Sequence, residues 1–325
     1  MFKKNLQFVE TARAFPNAGA AISAPESAPR QTRLSAPSSL YRQEFWMIGI
    51  WIIRVIPRKI CALFALIFAS LYWTVARSRR EIVIQNLLPA TGGNRNEATR
   101  VAKKLFHQFA RKIVDLWQYE AGMPILQLQA ESSGWEHFVK ANESGRGVLL
   151  VTPHLGNWEF GGPWLTRRGV PLHVITMAEP GKDFTQLRQA SRARWNIETV
   201  VIGGDPFAFV EIIRLLESGA TVALLMDRPS PATAIDVELF GKTFPASVAA
   251  TELARASGCV LLPVYLPRVA NGYAARVLPE IPYERSALRD RVARQQLTQE
   301  IMRAFEPVIR EHLDQWYHFV PVWKE

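Results

Sequence analysis

Residues 147–168 read GVLLVTPHLGNWEFGGPWLTRR, and they predict a strand, a tight turn and a helix in direct succession. The apolar run 148–151 has the length of a buried strand. Pro153 ends this run because it biases Thr152 towards an extended backbone. Gly156 and Asn157 then predict a turn, and a helix opens after it. The order is typical of an α/β fold, in which the chain passes from a central sheet to a covering helix.

Two side chains in this stretch, His154 and Glu159, are candidates for catalysis. On one continuous helix, residues five apart would point roughly 140° away from each other. They can meet if the histidine ends the strand and the glutamate lies in the first helical turn, where the helix dipole keeps it ionised. Such a carboxylate can orient an imidazole and stabilise its protonated form. No Ser or Cys lies close by in sequence, so the simplest chemistry is a general base acting on a substrate hydroxyl. A purely structural pair remains the alternative.

Composition bounds the class of protein without deciding it. The chain has 325 residues, 48% of them hydrophobic, and a formal net charge of +10. That charge suits an anionic lipid surface, a nucleic acid or an acidic protein partner equally well. Cys61 and Cys259 lie in apolar surroundings without metal-like spacing, which excludes a disulfide framework and favours the cytosolic side.

The N-terminal 80 residues differ from the rest. Residues 1–40 are rich in Ala, Pro and Ser, which predicts a disordered tail. In the segment 41–80, the apolar runs 45–56 and 60–75 are each too short to span a bilayer, and joining them would place charged residues at its centre. The segment therefore predicts a membrane-associated pair of helices, either a hairpin or two interfacial helices, with tryptophans such as Trp46 and Trp51 among the headgroups. A buried helical hairpin of a soluble domain is the alternative.

Residues 81–325 alternate strand and helix patterns. Strands are expected at Leu172–Met177, 198–202, 221–226, 236–240, 260–266 and, as an edge hairpin, 269–277. Helices are expected at 97–119, 135–142, 183–195, 206–217, 247–257 and 287–313. The fold class predicted is α/β, with a mixed, mostly parallel sheet flanked by helices and an N-terminal membrane-associated helical segment.

The stretch HLGNWE, residues 154–159, resembles the His-X4-Asp/Glu motif of the lysophospholipid acyltransferase superfamily, and specifically its branch of bacterial lipid A biosynthesis (late) acyltransferases. The resemblance extends over roughly residues 45–325. Its other parts are Arg79-Arg80 with Asn86-Leu87, Asp227 at the end of a strand, Phe240-Gly241, and the aromatic ending from Gln315-Trp316 to Trp323-Lys324. Arg228 is a departure, because the family usually has Gln there. The block Phe-Pro-Glu-Gly-Thr of glycerolipid members is missing, which favours the lipid A branch.

The resemblance implies transfer of an acyl chain from acyl-acyl-carrier-protein or acyl-CoA to a hydroxyl of a lipid A precursor or similar glycolipid, at the cytoplasmic face of the bacterial inner membrane. His154 would remove the acceptor proton, and Glu159 would hold and charge the imidazole. The oxyanion would need donors, either a backbone N–H in the turn 155–158 or an arginine. The candidate substrate-binding residues are Asn157, Arg188, Arg192, Arg194, Asp227 and Arg228.

Roles for these residues follow from the same resemblance. One arginine of helix 183–195 would touch acidic headgroups, and a solvated basic helix face is the alternative for each of them. Asp227 would line the cleft and order these arginines. His318, in the aromatic tail, is expected to be structural. The expected partners are membrane lipids and an acidic acyl carrier protein. No nucleic acid is expected, since the basic residues match no recognition motif.

No cofactor is expected beyond the thioester co-substrate. A metal is not expected either, because His154 and Glu159 lack an evident third ligand. Two rival functions stay open. One is a lysophospholipid or other glycolipid acyltransferase, and the other is a non-catalytic basic protein that binds membrane surfaces. The oligomeric state is left open.

Overall fold

The structure, a computed structural model, describes residues 43–178, 182–203 and 207–324. The predicted disordered tail 1–40 lies outside the described residues. Over the remainder the predicted fold class is confirmed: a mixed, mostly parallel sheet is flanked by helices.

The main sheet has the strand order β1-β10-β8-β2-β5-β3-β4, with the short β9 paired to β10. Strands β8, β2, β5, β3 and β4 are parallel neighbours, and β10 runs antiparallel to β8. A separate two-stranded sheet pairs β6 with β7. The strands are β1 (Gln129–Ser133), β2 (Val148–Thr152), β3 (Leu172–Met177), β4 (Ile197–Ile202), β5 (Thr221–Leu225), β6 (Ala234–Leu239), β7 (Lys242–Ser247), β8 (Val260–Tyr265), β9 (Arg268–Val269) and β10 (Gly272–Val277).

Helices cover both faces of this sheet, because residues of each central strand alternate between two cores. In β2, Leu149 and Val151 pack with the large core under α3, α4, α8, α9 and α10, whereas Val148 and Leu150 face α5 and α6. The helices are α1 (Gln43–Val55), α2 (Arg58–Val75), α3 (Arg77–Leu87), α4 (Arg95–Glu120), α5 (Trp135–Glu143), α6 (Gly161–Arg167), α7 (Lys182–Ala193), α8 (Ala208–Glu217), α9 (Ala249–Ser257) and α10 (Arg291–Glu311).

The N-terminal helices α1 and α2 pack on α4 and leave an apolar face open. Trp51 of α1 is 64% exposed and Phe64 of α2 is 61% exposed, with Leu63, Ile67 and Leu71 beside it. The expectation that each apolar run is too short to span a bilayer is wrong for α2: by length and composition alone, it is the helix among the described residues that could cross a membrane. The exposed face fits membrane association and not the alternative of a buried hairpin.

A second expectation for this segment is wrong. Trp46 does not lie among headgroups: it is 1% exposed, packs on Phe184 of α7 and donates its indole N–H to Glu120 of α4. The corner between α1 and α2 is held to the α/β domain by Arg58, which forms two hydrogen bonds with the buried Asp115 of α4.

Candidate active site

Strand register brings His154 and Asp227 together. Strands β2 and β5 are parallel neighbours, and Thr152 at the end of β2 lies opposite Leu225 at the end of β5. Each candidate lies two residues beyond its strand, so both enter the same crevice at the carboxyl edge of the sheet. Open α/β sheets bind their ligands at this edge.

The Asp227 carboxylate holds the backbone and the side chain of His154 at once. The backbone N–H of His154 donates to both carboxylate oxygens, at 3.0 and 2.9 Å, and Nδ1 lies 2.6 Å from Oδ1. An ionised carboxylate only accepts hydrogen bonds, so Nδ1 carries the proton. The neutral imidazole therefore keeps its lone pair on Nε2, which is the nitrogen able to accept a substrate proton. The His154 side chain is 13% exposed.

The C-terminal segment supplies two more donors to the same carboxylate. Asp227 Oδ2 accepts from Trp316 Nε1 and lies 2.9 Å from His318 Nε2. Arg228 in turn donates to Nδ1 of His318 at 3.5 Å and to the carbonyl of Tyr317. The expectation that His318 is structural stays a prediction; its ring belongs to the hydrogen-bonded system around the candidate base.

Asn86 of α3 fastens this segment in place. Its side-chain amide donates to the carbonyls of His318 and Val320, and its Oδ1 accepts from the N–H of Val322. Arg79 of the same helix donates to the carbonyl of Phe319 at 2.6 Å. The pattern of Arg79-Arg80 and Asn86-Leu87 thus serves the site at a distance, by holding the tail that reaches Asp227.

Glu159 does not contact His154 through a hydrogen bond, and the predicted pairing of the two is wrong. Its carboxylate is bound by the guanidinium group of Arg192 through two hydrogen bonds, of 3.1 and 2.7 Å. Burial alone would raise the pKa of Glu159, but Arg192, with Arg188 and Lys112 nearby, lowers it to about 2. Asp227 occupies the position on His154 that sequence reasoning assigned to Glu159.

The three candidate arginines, Arg188 and Arg192 of α7 and Arg194 just after it, differ in exposure. Arg188 is 7% exposed and donates to Oε1 of the buried Glu120 at 2.8 Å. Arg192 is 5% exposed and pairs with Glu159, as above. Arg194 is exposed and donates to the Glu120 carbonyl. The predicted headgroup contact therefore does not fit Arg188 or Arg192, and Asp227 orders none of the three through a hydrogen bond in the described part of the chain.

The turn between His154 and Glu159 is held in place by hydrogen bonds from its backbone N–H groups. The N–H groups of Leu155, Gly156 and Asn157 donate to the carbonyls of Pro153, Gln315 and Leu266. These three N–H groups are therefore not available to an oxyanion. Of the predicted donors, the backbone N–H of Trp158 and the arginines remain.

Gly156 is required in this turn, since its φ is +60° and a Cβ there would lie 1.9 Å from the Leu266 carbonyl oxygen. Next to it, Asn157 is fully buried, and within the described residues neither of its amide atoms has a hydrogen-bond partner. Asn157 does not line the cavity beside the site.

An apolar cavity of about 120 Å³ lies between the sheet and helices α5 and α6. Trp158, Glu159 and Arg192 are among its lining residues, and Trp158 packs against His154. Gly161, Gly162 and Ala223 are among its lining residues, as are Trp135 and Phe138 of α5. The cavity is walled mainly by carbon, so it can hold an alkyl chain next to a proton acceptor.

The electrostatics keep the candidate base neutral. Burial, reinforced by Arg228, lowers the pKa of His154 to about 3 against the opposing effect of Asp227. Burial would raise the pKa of Asp227, but the imidazoles of His154 and His318 outweigh it and hold that pKa well below 3.8. The site is therefore an ionised carboxylate and a neutral imidazole at neutral pH. Within the described ranges, no three His, Cys, Asp or Glu side chains group to hold a metal ion, and absence of a metal stays a prediction.

Comparison with known proteins places the chain among acyltransferases. The family described as bacterial lipid A biosynthesis acyltransferase matches residues 28–325. Among curated proteins, the phosphatidylinositol mannoside acyltransferase of Mycolicibacterium smegmatis is 27% identical over 191 residues, which cover 58% of this chain and 60% of that protein. The phosphatidylinositol mannoside acyltransferase of Mycobacterium tuberculosis is 25% identical over 198 residues, 61% of each chain. The matches thus span about three fifths of the length of these relatives.

Proposed function

Because the chain belongs to the bacterial lipid A biosynthesis acyltransferase family, we propose that it transfers a fatty acyl chain from a thioester donor to a hydroxyl of a glycolipid. The observation that carries the proposal is the carboxylate of Asp227 on Nδ1 of His154, which directs the basic Nε2 away from Asp227. The donor is acyl-acyl-carrier-protein or acyl-CoA. The acceptor is a lipid A precursor or a related amphipathic glycolipid, such as the phosphatidylinositol mannosides that the names of the relatives mention.

The reaction uses His154 twice. Its Nε2 takes the proton of the acceptor hydroxyl as the oxygen attacks the thioester carbonyl, and a tetrahedral oxyanion forms. When this intermediate collapses, the carbon–sulfur bond breaks and the thiolate leaves with the proton from Nε2. Asp227 keeps Nδ1 protonated and stabilises the imidazolium formed between the two steps. An ester and a free thiol are the products, and atoms and charge balance.

The acyl chain lies in the apolar cavity behind Trp158. Its walls come from the sheet face that carries Leu150 and from α5 and α6. With the chain there, the thioester carbon lies beside Trp158, which lines the cavity and packs against His154. Burial of each CH₂ group contributes about 0.8 kcal/mol, so the cavity also selects for chain length.

The protein works at a lipid surface, with the apolar face of α1 and α2 in the outer part of the bilayer. We place it at the cytoplasmic face of the inner membrane, where an acyl carrier protein and acyl-CoA are available. The net charge of +10 attracts anionic lipid and an acidic carrier protein.

The test compares wild type with His154→Ala in membranes, with His137→Ala on α5 as a matched control. Labelled acyl-CoA and acyl-acyl-carrier-protein are each offered with a lipid A precursor, a phosphatidylinositol mannoside and a lysophospholipid. Loss of a general base costs about 10² to 10⁴ in rate. Transfer that disappears only in His154→Ala supports the mechanism, and the acceptor that is acylated identifies the substrate.

Two outcomes contradict the proposal. Equal activity of wild type and His154→Ala removes His154 from the chemistry. Absence of transfer with every donor and acceptor, from protein shown to be folded, favours the rival of a non-catalytic protein that binds membrane surfaces.

A further inference from the structure

Lys112 of α4 is buried beside the candidate active site. It is 2% exposed, and its Nζ has no donor or acceptor contact in the described part of the chain. The amine lies over the indole of Trp158, 2.9 Å from the ring centroid, and 4.9 Å from the ring of Tyr317. The side chain is thus held by two aromatic faces instead of by a carboxylate.

Trp158 connects this lysine to the base. Its indole lies edge-on to the imidazole of His154, with ring centroids 5.0 Å apart, and it also lines the apolar cavity. Any rotation of the indole would change both the wall of the cavity and the packing of the imidazole. Lys112 itself touches neither His154 nor the cavity in the contacts described.

A buried lysine in such a place costs free energy unless its charge is used. Burial penalises an ammonium group strongly, and replacement by an apolar side chain of similar size would relieve the penalty. The attraction of an ammonium group to an indole face is the interaction this position offers in return, and it strengthens when water is excluded.

We propose that Lys112 is a positioning residue whose ammonium group holds the indole of Trp158 edge-on against His154 and closes one wall of the acyl cavity. The consequence for catalysis rests on the proposed acyl transfer, whereas the contact itself does not. Lys112 acts through Trp158 and does not touch the reacting atoms.

The contact depends on the charge of Lys112, and its surroundings set the pH at which that charge is lost. Burial lowers the pKa of Lys112 well below 10.5, with Arg188 and Arg228 acting in the same direction. The carboxylates of Glu159 and Asp227 oppose this. At a pH below the pKa of Lys112, the ammonium group therefore holds the indole of Trp158. As the pH rises through this pKa, the charge is lost and the indole is released.

The second ring in contact with the Lys112 amine is that of Tyr317. Its hydroxyl does not titrate in the pH range where Lys112 loses its charge, because burial raises the pKa of the Tyr317 hydroxyl far above its ordinary value of 10.0.

The first test reads the indole directly. The full-length protein is labelled with 5-fluorotryptophan, and the Trp158 signal is assigned among the ten tryptophans by its loss in Trp158→Phe. We expect its fluorine shift to titrate in wild type with a midpoint below 10.5, and to stay constant in Lys112→Met. Lys112→Arg, which remains charged, should also remove the titration. Lys104→Met, an exposed position on the same helix, should titrate as wild type does.

The second test reads the reaction. Lys112→Met should lower kcat by about tenfold, the order of one desolvated cation–π contact, and should weaken the discrimination among acyl chain lengths. Lys112→Arg should recover most of the rate and retain it to higher pH than wild type. Met fits the volume and apolar surroundings, so this variant is expected to fold.

The outcomes separate the two proposals. If wild type transfers acyl chains but Lys112→Met matches it in rate, chain-length preference and pH profile, the positioning role is refuted. A fluorine shift of Trp158 that is the same in wild type and Lys112→Met at every pH refutes the contact. If wild type itself shows no transfer, the proposed function fails, and the fluorine titration alone decides whether Lys112 holds the indole.

Discussion

Replacing Asp227 with Asn should abolish catalysis while leaving the fold in place. Asp227 Oδ2 serves Trp316, His318 and the backbone N–H of His154, whereas Oδ1 serves chiefly Nδ1 of His154. An asparagine retains most of these contacts if its oxygen stays at the Oδ2 position. Its NH₂ group then faces Nδ1, and two donors cannot share one hydrogen bond. The imidazole must adopt the other tautomer, with its proton on Nε2.

Two magnitudes follow from this geometry. The variant exchanges charge-assisted hydrogen bonds for neutral ones without leaving a buried group unpaired, so the free energy of unfolding should fall by only about 1–3 kcal/mol. The rate should fall much further, because Nε2 can no longer accept a proton. Loss of a general base costs at least about 10², and the equivalent Asp→Asn change in a serine protease triad costs about 10⁴.

The assay combines transfer kinetics with nitrogen NMR of ¹⁵N-histidine protein. The His154 signal is identified among six histidines by its absence in His154→Asn. Wild type should show an unprotonated Nε2, and Asp227→Asn an unprotonated Nδ1. Glu159→Gln is the informative comparison, since it breaks the contact with Arg192 but should leave the tautomer unchanged. Full activity of Asp227→Asn, or a tautomer change in Glu159→Gln instead, would refute the assignment.

Three further predictions concern stability. Gly156→Ala should lower the free energy of unfolding by more than about 2 kcal/mol, measured by chemical denaturation, because φ is +60° and a Cβ would lie 1.9 Å from the Leu266 carbonyl oxygen. Arg192→Lys should cost about 1–3 kcal/mol and raise the pKa of Glu159 above about 2, visible by infrared titration of the carboxylate, because an ammonium group cannot make the paired contact. Between pH 6.5 and about 3 the unfolded state binds more protons at His154 than the folded state does. The contribution of His154 to stability is therefore complete above pH 6.5, and denaturation at several pH values should show it falling by up to about 1.4 kcal/mol per pH unit below that.

Each of these has a matched control. Gly93→Ala, with φ of +80° and nothing within 4 Å of a Cβ, should show only the backbone strain of about 1–2 kcal/mol. Arg100→Lys at an exposed ion pair should change little. His154→Asn should flatten the dependence of stability on pH relative to His137→Asn. Equal losses in a variant and its control would show that the named contact is not the cause.

The sequence predicts which residues form the candidate site more accurately than it predicts which of them contact each other. His154, Glu159 and Asp227 all come from sequence, but the spacing of five residues suggested that the first two meet. Strand register pairs His154 with Asp227 instead, because both residues lie two positions beyond the ends of β2 and β5, which are opposite each other in the sheet. The signal was available in principle, since both strands had been predicted, but adjacency of two strands that are far apart in sequence is set by packing and not by local pattern.

Lys112 and Glu120 were missed for a related reason. Both lie on α4, whose apolar stripe was predicted, and a Lys or Glu on an amphipathic helix normally faces solvent. Here both are buried, at 2% and 3% exposure, because α4 is covered on further sides by α1, α7 and the C-terminal segment. The expectation that Trp46 lies among headgroups fails for the same reason, because α1 packs on α4 and buries this side chain.

The sequence alone determined the elements and the chemistry available to them. Alternation and apolar length identified the central strands, Pro153 and Gly156 defined the turn after β2, and the apolar runs before residue 76 gave the N-terminal helices, since these signals act between near neighbours in the chain. Only the tertiary structure decided which carboxylate holds His154, because strand order and register bring together residues 73 positions apart. It also decided that residues from 315 to 318 complete the site, since a tail held by Asn86 reaches Asp227 through contacts that have no local pattern.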